Sequence, residues 1–161
     1  AAQTAALAEK DAYPKPIVLA AFLHDIGHLV RLNDNSNQMG GYGVRSHEEI
    51  GSSFLKLYRF PCITCDLIKG HVGAKRFKVT VNKNYYDSLS DASKQSLKYQ
   101  GGEMSKEELI DFIKDPLYEY HLKMREWDDL AKETDPVILN KIDEVKVIEK
   151  YYDMAFKIVP H

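Results

Sequence analysis

Helix-start signals recur along the whole chain, and they constrain the fold more than any other feature. Ser46 with Glu49, and Ser105 with Glu108, have the spacing of a capping box. There a hydroxyl accepts the third helical N–H and the glutamate accepts the cap's own N–H. Pro16 and Pro61 suit a first turn, where the missing N–H costs nothing. Ser90, Asp115-Pro116 and Asp135-Pro136 mark further starts. These signals predict helices from Pro16 through the buried run Ile17–Leu23 to His24, from Ser46 to about Tyr58, and from Pro61 to near His71. Others run from Ser90 to the breaker YQGG at 99–102, from Ser105 to about Lys114, and from Asp115 to about Ala131. The Ala-rich start, residues 1–10, also reads as helix. In the last segment Ile138, Ile142, Val145, Ile148, Tyr152 and Phe156 recur at three- and four-residue spacings, giving one apolar face. Only FKVTVN at 77–82 alternates like a strand, and it is short. Residues 31–45 are rich in Asn, Gly and Asp and read as a long irregular loop. No internal repeat or linker interrupts the pattern. The expectation is an all-α single domain over 1–161, a bundle of roughly seven helices.

Composition narrows the classes. With 161 residues and 44% hydrophobic residues, the chain can bury a sizeable core. A formal net charge of −2 gives no bulk attraction for nucleic acid. No apolar run reaches membrane-spanning length, and AAQTAALAEK lacks the features of a secretion signal. That start has no Met and reads as helix from its first residue, so upstream residues of the first helix are expected to be missing. Cys62 and Cys65 form a C-x-x-C without a second pair and without a βαβ context. They read as two core-facing thiols on a helix, and free thiols fit a cytoplasmic setting.

The chemistry lies in the histidines and carboxylates. In FLHDIGH, His24 and His28 are four residues apart and share a helix face. Asp25 lies about 100° round the helix, placed to bridge two cations. His47 stands just inside a helix behind the Gly-rich loop, His71 ends the next one, and Asp128 follows Trp127. Imidazole and carboxylate together suit iron and other divalent metals. His121 and His161 sit in no matching context and read as ordinary core or surface residues. An isolated His-Asp pair says little; the constellation says more.

The segments AAFLHDIGH, MGGYGVRSHEEIGSSFL, IKGHVGAKRF, LSDASKQSLKYQGGEM and KMREWDDLAKETD resemble the HD-domain mixed-valence di-iron oxygenases. The similarity spans about residues 18–135. It is nearest to the subgroup that cleaves hydroxylated aminoethylphosphonates, with myo-inositol oxygenase a more distant member. The resemblance implies a helical HD domain with two iron ions, Fe2+ and Fe3+. His24 and Asp128 would bind one iron, His47 and His71 the second, and Asp25 would bridge both. His28 and Lys75 would meet the phosphonate with Ser93 and Arg125, while Gly41 and Tyr42 lie in the loop that approaches substrate. Asp25, His28 and Lys75 would carry the catalysis. The implied reaction consumes O2 and cleaves the C–P bond, giving phosphate and a carboxylic acid. The family pattern also has an iron-ligating His on the helix before the HD motif, and gating Tyr and Glu residues upstream. No His precedes His24 in this chain. The alternatives are a metal-dependent phosphohydrolase acting on a phosphate ester or nucleotide, since the same ligands serve hydrolysis, and a non-catalytic helical binding protein.

Overall fold

The computed structural model describes residues 1–31, 38–131 and 143–160. Among these the chain is helical throughout, with only an isolated bridge between Gln38 and Val44 in extended pairing. Ten helices are described: α1 (Ala2–Lys10), α2 (Lys15–Leu23), α3 (Ile26–Val30), α4 (His47–Leu57), α5 (Cys62–Val81), α6 (Lys83–Ser88), α7 (Asp91–Tyr99), α8 (Lys106–Lys114), α9 (Tyr118–Leu130) and α10 (Glu144–Phe156). The all-α expectation is met. The number exceeds seven because short pieces, α3 and α6, are set off by local breaks.

The core forms around α2. Its run Ile17–Ala21 is buried on every side, and it packs against α1, α5, α9 and α10. A helix apolar all round must lie inside other helices. Trp127 fills the space between α9 and the end of α1, its Nε1 donating to Asp11 at 2.9 Å. A second, smaller cluster of Val79, Leu89 and Leu97 sits beside Tyr85.

Four local expectations need correcting. The strand-like run at 77–82 is, up to its cap Asn82, the last part of α5, which continues ten residues past His71 to Val81. Phe77 packs on Phe112 and Tyr118, and the Thr80 hydroxyl donates to Arg76 O four residues back. Packing thus overrides the weak β preference of Val and Thr. Ser105 and Glu108 do form a reciprocal box, but Ser46 does not. Its φ of 54° is left-handed and its hydroxyl makes no cap bond, because a side-chain N-cap needs extended backbone. In α10 the predicted stripe faces outward: Val145, Ile148, Tyr152 and Phe156 are exposed, and Tyr151 is buried instead. The helix carries a second apolar stripe, and Tyr151 wins the core by stacking on Phe22, with its hydroxyl 3.4 Å from Glu9. Cys65 is buried as expected but Cys62 is exposed, and both are free thiols. The predicted start at Asp135-Pro136, Ile138, Ile142, His161 and part of the 31–45 loop lie outside the described residues.

Candidate metal centre

Several helices converge on one cleft of about 140 Å³. The α2–α3 junction supplies His24, Asp25 and His28; α4 supplies His47; α5 supplies His71 and Lys75; α9 supplies Arg125 and Asp128. One glycine makes this convergence possible. A Cβ on Gly27 would lie 1.9 Å from the His47 carbonyl oxygen, so α3 reaches the start of α4 only because residue 27 has no side chain. The loop reaches the cleft through Gly43 rather than Gly41. Gly43 has φ +98°, and a Cβ there would lie 2.5 Å from the His28 ring, whereas one on Gly41 would meet nothing within 4 Å.

Three histidines share one restraint. The Nδ1–H of His24 donates to Ala21 O at 2.9 Å, that of His47 to Val44 O at 3.3 Å, and that of His71 to Ile68 O at 2.7 Å. A carbonyl can only accept, so each Nδ1 carries the proton, and the neutral rings of His47 and His71 turn bare Nε2 lone pairs into the cleft. The His47 and His71 Nε2 atoms stand 3.0 Å apart. Burial holds the His47 ring down to about 4 and the His71 ring down to about 3, so at neutral pH no second proton lies between them. Two facing lone pairs at that distance repel. Two nitrogens each about 2.1 Å from one cation at a right angle stand about 3.0 Å apart, so the pair fits a shared metal ion.

Asp25 faces both ways. Its Oδ1 lies 3.5 Å from His47 Nε2 and 3.9 Å from His71 Nε2, while its Oδ2 lies 3.1 Å from His24 Nε2. Ligand atoms of Asp25, His47 and His71 all lie within 4.8 Å of one another and could hold a single ion. On the other side, Asp128 Oδ1 lies 3.5 Å from His24 Nε2. Burial alone would lower the His24 pKa, but hydrogen bonds to Asp128 and Asp25 outweigh it and raise it to about 10. Burial likewise opposes the charge on both carboxylates, and the adjacent His24 more than offsets it, holding them well below the usual range.

His28 differs from the other three. Its Nδ1 accepts the Val44 N–H at 2.9 Å, so its proton sits on Nε2, facing the cleft as a donor. The ring stacks on His47 with centroids 3.9 Å apart. Lys75 is buried, and its Nζ donates to Ser96 Oγ at 3.0 Å. Burial, then the nearby Arg125, lowers its pKa to about 8. Arg125 lines the cleft with its Nη1 3.0 Å from Asp128 Oδ2. Ser93 and Tyr42 also line it.

Sequence reasoning missed Ser96, Gln100 and Met39, which complete the wall. Ser93, Ser96 and Gln100 fall at i, i+3 and i+7 along α7 and its cap, a spacing that places them on one face; that was the available signal. His121 is buried elsewhere, its ring against Gly70 and near Phe112.

This helical scaffold with a His/Asp cluster in its central cleft is that of the HD domain family. The family model described as HD domain matches residues 1–148, and the chain belongs to that family. Among its relatives, an uncharacterised protein of Acanthamoeba polyphaga mimivirus is 43% identical over 130 residues, 81% of this chain and 59% of that protein. The [1-hydroxy-2-(trimethylamino)ethyl]phosphonate dioxygenase (glycine-betaine-forming) of Leisingera caerulea is 36% identical over 138 residues, 83% of this chain and 67% of that enzyme. The hydroxymethylphosphonate dioxygenase of Gimesia maris is 35% identical over 134 residues, 82% of this chain and 65% of that enzyme. The matched part of the chain thus spans about three-fifths to two-thirds of these relatives' lengths. No helix among the described residues is long and apolar enough to cross a membrane.

Proposed function

We propose that this chain is the metal-binding domain of an oxygenase that cleaves the C–P bond of a small hydroxylated phosphonate with O2. The observation that carries the metal reading is the pair of Nε2 atoms of His47 and His71, 3.0 Å apart, with each ring's Nδ1 held by a backbone carbonyl. The names of two relatives, both phosphonate dioxygenases, support the reaction, and a donor set of imidazole and carboxylate suits iron. In this reading His47 and His71 would hold one iron, His24 and Asp128 would hold the other, and Asp25 would be shared between them. A shared carboxylate lets two cations sit close despite their repulsion. Bound iron would supply the redox chemistry towards O2.

The remaining residues bind and orient substrate. Lys75, held by Ser96, offers a compact positive charge to a phosphonate oxygen. His28 Nε2–H donates a hydrogen bond from the other side of the cleft. Ser93 and Gln100 add polar groups along α7, and Met39 with Tyr42 closes the cavity wall. A cleft of about 140 Å³ suits a substrate of a few heavy atoms. The reaction balances with one O2: the carbinol carbon becomes a carboxylic acid, the C–P bond breaks, and phosphorus leaves as phosphate.

Phosphohydrolysis uses the same ligands, so the test is oxygen dependence. Iron-loaded protein is incubated with hydroxymethylphosphonate, and separately with a nitrogen-bearing hydroxyethylphosphonate, with and without O2. Phosphate release that needs O2 is expected. Release from a phosphate ester at the same rate under nitrogen, with none from either phosphonate, would replace this reading by hydrolysis.

A further inference from the structure

Behind the cleft lies a hydrogen-bonded ring that the proposed chemistry does not use. Arg125 Nε donates to the Tyr85 hydroxyl at 2.8 Å, and that hydroxyl donates to Asp129 Oδ2 at 2.9 Å. Asp129 closes the ring by pairing with Arg125 Nη2. Lys78 Nζ donates to Asp129 Oδ2 at 3.0 Å from the far side. Tyr85 and Asp129 line a separate cavity of about 340 Å³, and neither is among the residues lining the cleft that holds His24.

The ring fixes what Arg125 can do. A guanidinium is flat, and its Nε and one Nη are held by partners on the same side, so its plane is set. The free edge then presents Nη1, which meets Asp128 Oδ2 at 3.0 Å. With that oxygen taken, the other oxygen of Asp128 faces His24. The charges point the same way. Arg125 and Lys78 both pair with the Asp129 carboxylate, and Arg125 also meets Asp128.

We propose that Tyr85 and Asp129 are positioning residues: acting through Arg125, they hold one oxygen of Asp128 so that the other alone is offered to the metal centre. This rests on the reading of Asp128 as a metal ligand. Tyr85 contributes one hydroxyl to the arrangement, so Tyr85→Phe removes both of the ring bonds that hydroxyl makes, with little change of shape.

The experiment is a Mn2+ titration of the metal-free protein, with free Mn2+ followed by electron paramagnetic resonance. Asp128→Asn and His71→Ala first identify which binding step depends on which side of the centre. Tyr85→Phe is expected to weaken the Asp128-dependent step about tenfold, as loss of an outer partner of a ligand does, and to leave the His71-dependent step unchanged. A purely structural role would weaken both steps alike. Metal-free melting curves check folding, and Asp129→Asn carries the same expectation should Tyr85→Phe fail to fold. Equal weakening of both steps, or none in either, overturns the inference. A His71-dependent step with no Asp128-dependent step in the unmodified protein also overturns it, and leaves the His47–His71 site standing. No Mn2+ binding at all overturns both this inference and the proposed function.

Discussion

His71 and His121 are both buried, the first within α5 and the second packed against it, and Gly70 links them in space: it precedes His71 in the chain and its missing side chain admits the His121 ring. Yet their surroundings differ in kind. His71 has its Nδ1 held by a backbone carbonyl and its Nε2 aimed at His47 and Asp25. The His121 ring packs against α5 at Gly70 beside Phe112, its Nε2 3.6 Å from Asp115 and its Nδ1 without a hydrogen-bond partner among the described residues. Burial lowers both pKa values, so burial alone separates nothing. What marks a site is several restrained lone pairs meeting at one point.

That contrast can be broken most directly by removing each ring. His71→Ala is expected to lower metal-dependent turnover at least about a hundredfold, as loss of a ligand exceeds loss of a ligand's partner. His121→Ala should keep turnover in whatever fraction remains folded, and its loss should appear in a denaturant midpoint. Comparable turnover losses in the two folded variants would sink the distinction. Gly70→Ala sharpens it from the other side. The new Cβ would lie 2.1 Å from the His121 ring, so a destabilisation of about 1–3 kcal/mol is expected, measured by urea unfolding; an unchanged midpoint would mean the ring moves away freely.

Lys75→Ala tests the polar wall next to His71. It should raise KM about tenfold with a smaller change in kcat, since a charge that binds ground and transition states alike acts on KM. The same charge sets a pH dependence. Its pKa is depressed to about 8, so the ammonium is present below that pH and lost above it. Affinity for a phosphonate should therefore fall as pH rises through 8, read as rising KM. For folding the sign is opposite. Between pH 8 and the unfolded value the unfolded chain binds the extra proton, so this residue makes stability rise with pH there. A KM flat from pH 7 to 9 would remove Lys75 from the binding wall. Ser96→Ala, which deletes only the oxygen holding the Lys75 amine, should change KM a few-fold, about the worth of one hydrogen bond.

Much of this was legible from the residues. Local helix signals at Ser90, Ser105 and Pro61 depend on neighbours a few positions away, so sequence carries them. The residues singled out as candidate ligands, His24, Asp25, His47, His71 and Asp128, do meet in one cleft. What stayed hidden depends on contacts distant in sequence. The β-like run at 77–82 is helical because Phe112 and Tyr118 meet it from other helices. The outward stripe of α10 looked like a core face because periodicity cannot say which of two apolar stripes finds a partner. Nothing near Gly27 in the sequence marks its role, which is to admit the His47 carbonyl. Tyr85 and Asp129 carried no signal, since the ring they form spans forty-four positions.

The three imidazole restraints have one property in common: each acceptor is a main-chain carbonyl three residues before its histidine. Ala21, Val44 and Ile68 can each be exchanged for another residue without deleting the oxygen that orients the ring. Ligand aim is thereby insulated from side-chain substitution at those positions. The walls of the cleft, built from Ser93, Ser96, Gln100 and Met39, have no such insulation. A scaffold arranged this way can exchange the groups that choose a substrate while the orientation of its histidines stays fixed.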